Sequence, residues 1–290
     1  MQTLIHQIVA GLATGCIYAS IALAISMVHQ STHQLNFAQG EMAMFSTFIA
    51  WALMQAGLSY FAAFALTVIV SFVLGMLIER FIIRPVGKTS QLSMVVVVIG
   101  LLLVCNSSAG WIWGYDVRPF PSPFPDDMRL LGGYVTAHEA GSFCITMAML
   151  IALYLFFRFT PLGLAMRAAA QNPVSSRLVG VRVDLLFGVG WGLAAAIGAV
   201  AGITVAHVLF LDVNMMAGAV LYGFAAALVG GIDNPWGAIA GGFLIGVVEN
   251  LLGAYVVGND LKLTVALLII VGVLTFKPAG IFGVQRVRRV

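Results

Sequence analysis

From Ile8 to Val28 the chain runs twenty-one residues without a charged side chain. As an α-helix, at about 1.5 Å per residue, that run reaches roughly 31 Å, the thickness of a bilayer's hydrocarbon core. The pattern recurs. Apolar segments at 8–28, 41–57, 59–81, 92–113, 140–158, 186–210, 214–230, 236–257 and 261–276 are separated mostly by short polar joints. In hydrocarbon, backbone N–H and C=O groups must find their partners inside the protein, which helices do within a single segment. The expected fold is all-α, a polytopic transmembrane helix bundle of about eight to nine spans in a single domain, 1–290. The second and seventh segments are short and polar-flanked, so one or two spans are expected to be broken or half-depth. No Lys or Arg precedes the first run, and the run is longer than the apolar core of a secretory signal, so it reads as a retained first span.

Composition supports this class. Hydrophobic residues make up 61% of the chain and charged residues 9%, against about 45–50% and about 25% in soluble domains. One aqueous core has no use for that excess. The formal net charge of +3 is scattered among apolar spans rather than gathered on a basic face, so nucleic acid is excluded as a partner and membrane lipid is expected. Cys16, Cys105 and Cys144 all fall in apolar stretches without metal-ligand spacing, and read as small packing residues.

The basic residues orient the array. Arg80, Arg84 and Lys88 follow the third span, Arg158, Arg167, Arg177 and Arg182 follow the fifth, and Lys277, Arg286, Arg288 and Arg289 follow the ninth. Those eleven of the fourteen Lys and Arg share one side if nine spans are counted. The positive-inside rule makes that side cytoplasmic. The N-terminus and the proline-rich 114–139 loop then lie outside, in the periplasm. That loop carries Pro119, Pro121, Pro123 and Pro125, then Asp126, Asp127, Gly132 and Gly133, and reads as turns and extended chain. Glycines at four-residue spacing (Gly11/Gly15, Gly188/Gly192, Gly198/Gly202, Gly237/Gly241, Gly242/Gly246) read as close helix-packing sites.

Three constellations stand out. Asn36-Phe37-Ala38-Gln39-Gly40-Glu41 opens the second apolar segment. Asn36 suits a helix cap, Gly40 permits a bend, and Glu41 is favoured by the helix dipole. With Gly230, Gly231, Asp233 and Asn234 in the other half, it forms a pair of Gly-interrupted polar breaks, a pattern that marks substrate paths in transporters. Both sets are candidate path residues. The second constellation is the 159–185 segment, too polar to span. Gly163, Arg167 and Ala168 lie in a first short helix. Asn172-Pro173 is a stop and restart, Arg177 lies in a second helix, and Gly180 is a C-terminal cap. Met166 and Leu178 are expected as outward apolar knobs. A surface-lying amphipathic helix or a docking platform for a soluble partner fits this segment. Third are ionisable and amide groups at bilayer depth: Glu79, expected to pair with Arg80, and Glu249, Asn250, Asn106 and His207. The chain has no Gly-x-Ser-x-Gly, His-Glu-x-x-His or Walker A sequence, and nothing points to catalysis or a metal.

With these segments in place, the chain resembles the permeases of the branched-chain amino acid ABC importer family, first permease subunit type, over nearly its full length. Asn36 to Glu41 looks like the family's Asn-Phe-Ala-(His/Gln)-Gly-Glu segment, and Glu79 to Val86 like its Glu-Arg and Arg-Pro pattern. Gly163 to Asn172 is similar to its Gly-x-Ala-x-Arg-Ala coupling segment. Gly230 to Ile232 with Gly237-Ala238, and Lys277 to Gly283, complete the order. Where the family commonly reads Gly-Gly-x-Gly-Ser, this chain has Gly230-Gly231-Ile232-Asp233-Asn234, which adds a carboxylate. The resemblance implies a non-enzymatic transport subunit in a bacterial inner membrane. It implies a second homologous permease subunit, two ATP-binding subunits and a periplasmic solute-binding protein. The chain itself would hold no cofactor, ATP being bound by the partners. A branched-chain amino acid is the leading solute, with urea, amides and small aromatic or organic acids as alternatives. An ion-coupled secondary transporter would lack the 159–185 platform, a membrane enzyme would need clustered catalytic groups, and a sugar-type permease is the nearest neighbour.

Overall fold

Each of the nine apolar segments is a helix in the computed structural model, which describes residues 2–32, 34–87, 90–125, 129–130, 135–258, 261–277 and 279–283. In order they are α1 (Gln2–Thr32), α2 (Gln39–Gln55), α3 (Tyr60–Ile78), α5 (Gln91–Trp113), α6 (Ala137–Phe159), α9 (Val183–Leu209), α10 (Ala217–Gly230), α11 (Pro235–Leu252) and α12 (Lys262–Phe276). A π-helical turn, Glu79–Ile83, continues α3 into the short α4 (Arg84–Val86), and a second, Gly253–Val257, extends α11. The segment between α6 and α9 forms α7 (Pro161–Gln171) and α8 (Pro173–Leu178). A two-residue antiparallel ladder, β1 (Arg129–Leu130) with β2 (Val135–Thr136), precedes α6. The turn reading at Asp126, Asp127, Gly132 and Gly133 lies outside the described residues, as do Lys88, Pro278, Arg286, Arg288 and Arg289.

Among the described residues six helices are long and apolar enough to cross a membrane, and the protein is a multi-pass membrane protein. The others are shorter: α2 has 17 residues, α10 has 14 and α12 has 15, or about 25, 21 and 22 Å against a core of about 30 Å. The first two match the segments expected to be half-depth. The shortness of α12 is new, and its polar start at Lys262 follows the turn at Gly258.

The chain divides into two compact units. The first contains Met1–Ser26, Ser122–Cys144 and Ala217–Val290. Its framework is backbone against backbone. A Cβ on Gly242 would lie 2.3 Å from Ala19 Cα, and one on Gly246 2.5 Å from Gly15 Cα, so α1 and α11 touch through glycine. Gly241 does the same against Ala226 of α10, and Gly237 against Gly230. In lipid, where apolar side chains gain nothing by leaving the tails, such close approach supplies van der Waals contact. Tyr18 and Tyr222 stack at 4.8 Å beside Glu249, whose carboxylate they and Lys262 face. Asn250 donates across to Thr14 Oγ1 at 3.4 Å, an interhelical hydrogen bond.

The second unit contains Met27–Pro121 and Ile145–Met216. Here α9 is the centre. Gly75 of α3 packs on Trp191 and Gly192 packs on Phe72, while Gly198 and Gly202 receive Gln39, Ala43 and Thr47 of α2. All five glycine pairs are packing sites. At one end of the unit Arg118 bridges to Leu211 by two backbone bonds and lies 4.5 Å over the Trp51 ring. His207 Nδ1 is 3.1 Å from Phe120 O, a structural contact.

Candidate functional site

The chain between α1 and α2 sits against the middle of a third helix. Gln39 Nε2 donates to Ala194 O at 2.9 Å. Ala194 lies eleven residues beyond Val183, about 16 Å along α9. The start of α2 is therefore set part-way down its neighbour, which leaves a polar backbone break inside the unit. Breaks at such depth are tolerated only when buried in protein or lining a cavity. The first condition is met by Asn36, fully buried, whose Nδ2 donates to Gln39 Oε1 at 3.1 Å and whose Oδ1 accepts from Ala38 N at 3.1 Å.

Two expectations are corrected here. Asn36 does not cap α2, because the N-cap position is Ala38 and no side chain caps it. Asn36 instead folds the break upon itself. Gly40 makes no bend: it lies in the first turn of α2, without the positive φ that would mark glycine's freedom. Its smallness is used in burial, not in turning.

Glu41, in the first turn of α2, accepts from Asn106 Nδ2 at 3.1 Å, and the same amide nitrogen contacts Val213 O at 3.1 Å. Asn106 thereby joins α5, α2 and the chain after α9. Glu41 is half-buried and its first turn carries the positive end of the helix dipole. Phe37 is exposed. Below Glu41 on the same helix, Met42, Phe45 and Ser46 line a cavity of about 170 Å³ with Ser71, Cys105 and Ser108 among the other walls.

The other break behaves differently. Gly231, at φ +102°, ends α10, and Asn234 caps α11 by accepting from Trp236 N at 3.2 Å. A returning strap from the C-terminal region closes on it: Ile281 N donates to Val229 O at 2.7 Å and Phe282 N to Gly230 O at 3.2 Å. Asn234 Nδ2 reaches Phe282 O at 3.1 Å, and Ser26 Oγ reaches Ile232 O at 2.7 Å. The last two carbonyls of α10, of the kind helix geometry leaves unpaired, are satisfied by this strap. Packing accounts for Gly230 and Gly231, and Asp233 is left at the surface.

The 160–180 segment folds as its residues direct. Thr160 caps α7 through Gly163 N at 3.0 Å, and Asn172 caps α8 through Ser175 N at 3.0 Å, each followed by proline at the first helical position. Gly180 takes φ +86°. Gly163 lets α7 fold back on Phe156 and Phe157. Ala169, with Val183 and Leu186 of α9, forms a buried cluster that Ala165 and Met166 pack against. Met166 is thus turned inward, a correction to its expected role as a knob. Leu178 is 84% exposed and joins Leu164, Val174 and Val179 as the outward apolar residues, with Arg167 and Ala168 exposed beside them. Arg177 Nη2 donates to Asp184 Oδ1 at 2.7 Å.

Glu79 pairs, but not with Arg80. It is 2% exposed and receives Arg84 Nε at 3.1 Å and Nη2 at 2.6 Å. The cause is the π-helical turn, in which Arg84 N donates to Glu79 O, five residues back, so side chains at that spacing share a face. Arg80 instead lies 5.7 Å from the Phe81 ring centre.

Comparison with known proteins gives matches over the whole chain. The family model described as branched-chain amino acid transport system / permease component matches residues 7–274. The high-affinity branched-chain amino acid transport system permease protein BraD of Pseudomonas aeruginosa is 30% identical over 303 aligned positions, covering 99% of this chain and 98% of BraD. LivH of Escherichia coli, of the same description, is 28% identical over 303 positions, covering 99% and 97%. The probable branched-chain amino acid permease LivM of Methanocaldococcus jannaschii is 25% identical over 203 positions, covering 66% of this chain and 56% of that one.

Proposed function

Because the chain belongs to the permease-component family of branched-chain amino acid transport systems, we propose that it is the membrane subunit of an ATP-binding-cassette importer carrying a branched-chain amino acid from periplasm to cytoplasm. The observation that carries this reading is the end-to-end match to BraD and LivH, with an outward apolar platform where an ATPase would dock. The chain has no phosphate-binding loop of its own. ATP is bound by two partner subunits, and no cofactor is held here. A second permease of the LivM kind pairs with this one, a view supported by the shared similarity of the two permease types over 203 positions. A periplasmic binding protein delivers the solute. The basic-residue bias sets the 160–180 segment in the cytoplasm and the N-terminus in the periplasm, in an inner membrane.

Within this scheme α7 and α8 are the coupling platform. Leu164, Val174 and Leu178 are apolar and exposed on a segment too polar to enter lipid, and they gain by docking into a protein groove. Gly163, Asn172 and Gly180 shape that platform, Arg167 and Ala168 face the partner, and Arg177 ties α8 to Asp184 of α9. On the path, Asn36 and Gln39 hold the break in register with α9, while Phe37, Gly40 and Glu41 stand along it. Gly230, Gly231, Asp233 and Asn234 form the second break, with the Asp233 side chain exposed at the surface. Glu41→Ala is expected to lower uptake several-fold with the ATPase still bound in pull-down. Release of the ATPase by that substitution would assign Glu41 to assembly instead.

The solute is tested by uptake of labelled leucine in cells relying on this permease, with competitors in excess. Leucine, isoleucine and valine are expected to compete, and urea, amides, aromatic acids and sugars to leave uptake unchanged. Competition by one of the latter alone, with no leucine uptake, would reject the amino-acid reading.

A further inference from the structure

Four charged side chains in the second unit form a continuous line from a membrane helix to the coupling platform. Arg84 holds Glu79 by two bonds, at 3.1 and 2.6 Å, and its Nη2 also donates to the backbone oxygen of Asp184 at 2.7 Å. The Asp184 carboxylate in turn accepts from Arg177 of α8 at 2.7 Å. The line runs π-helical turn, α4, α9, α8. Room for it is made by Gly188, one turn beyond Asp184, where a Cβ would lie 3.3 Å from Glu79 Oε2 and 3.8 Å from Arg84 Nη2.

We propose that Arg84 and Asp184 are positioning residues of the transport cycle, forming a mechanical link that passes displacement of α8 to α9 and to the π-helical turn of α3. The proposal rests on the reading of α7 and α8 as the ATPase-facing platform. Stability does not explain the line as a whole. The Arg177–Asp184 pair is more than half exposed on both sides, and exposed ion pairs contribute little to folding. Fixed geometry is what it offers. Beyond the link, α3 and α9 have no slack, since Gly75 packs on Trp191 and Gly192 on Phe72. A push at α8 is therefore carried by two interlocked helices. The line also borders open space: Ser31, Gln34, Glu79, Arg84, Arg177 and Asp184 line a cavity of about 530 Å³, into which the link has room to move. A π-helical turn at its far end is a device common at functional sites, where an inserted residue loosens the helix locally.

The link is distinct from the platform's docking face and is tested apart from it. In the complete importer reconstituted in liposomes, Asp184→Ala and Arg177→Ala break the α8 bond without leaving a buried charge. Both are expected to assemble and to keep ATP hydrolysis stimulated by loaded binding protein. Solute moved per ATP is expected to fall about tenfold, within the range of site-to-site couplings. The swap Arg177→Asp with Asp184→Arg is expected to restore the ratio, which a loss of mere surface charge would not require. Glu79→Gln with Arg84→Gln is expected to give the same uncoupling. Should that buried pair fail to assemble, the exposed Asp184 and Arg177 variants decide alone. An unchanged solute-to-ATP ratio in Asp184→Ala overturns the link. If Arg167→Glu stops uptake while Asp184→Ala stays fully coupled, the platform stands and the link falls. If Arg167→Glu and Asp184→Ala both leave uptake normal, the platform reading falls with it.

Discussion

Gly242→Leu is expected to abolish recovery of folded protein, while Gly100→Leu leaves it at the wild-type level. At Gly242 the first atom of any side chain would lie 2.3 Å from the Ala19 backbone, and at neighbouring Gly246 2.5 Å from Gly15. Nothing flexible stands there to yield. The helices α1 and α11 would have to part, losing contact along Gly11, Gly15, Gly242 and Gly246 together. Even where side chains can shift, overpacking costs about 1–3 kcal/mol, and here backbone must move. A stability of about 5–15 kcal/mol leaves little room for that loss plus the forfeited contact. Around Gly100 no atom of a neighbouring element lies within 4 Å of a new Cβ, so a side chain there starts into open space. Size-exclusion chromatography of the detergent-solubilised protein reads the difference, and a normal monodisperse peak for Gly242→Leu would refute the packing.

Arg167→Glu is expected to cut uptake more than tenfold with the permease still present in the membrane. Arg167 is exposed on α7, at the edge of the Gly163 and Ala169 face that packs on the unit. Substitutions at exposed positions usually change stability by no more than about 0.5 kcal/mol, so the fold is expected to survive. Docking is another matter. A like or opposite charge placed against a partner's complementary surface changes association by several kcal/mol, and 1.4 kcal/mol already makes a factor of about ten. Transport by vesicles, with permease content measured by immunoblot, separates the two effects. Undiminished uptake would remove Arg167 from the coupling face.

Much of this architecture was legible in the residues, and the exceptions share a cause. The nine helices follow from apolar runs that only a bilayer rewards, and the caps at Asn172 and Gly180 follow from local chemistry. Thr160 could have been read the same way, standing before Pro161. Glu79 shows where local reading stops. On an ideal helix of 3.6 residues per turn, Arg84 would point about 140° away from Glu79; the π-helical turn brings it round, and no sequence period announces that insertion. Long-range contacts were equally hidden. Gln39 meets Ala194, and Gly230 meets Phe282, across separations that no helical period relates. The consequence is concrete at Gly230-Gly231, where a broken helix suggested a path and the strap from Ile281 and Phe282 uses the glycines for packing.

The direct test of the central claim is to purify the tagged chain in detergent from cells that also express its neighbouring genes, identify the bound chains by mass spectrometry, and assay ATP hydrolysis. A second permease and ATPase subunits are expected to copurify, with hydrolysis stimulated by a leucine-loaded binding protein. A chain that purifies alone, without ATPase activity, and accumulates solute in vesicles on an ion gradient would contradict the account.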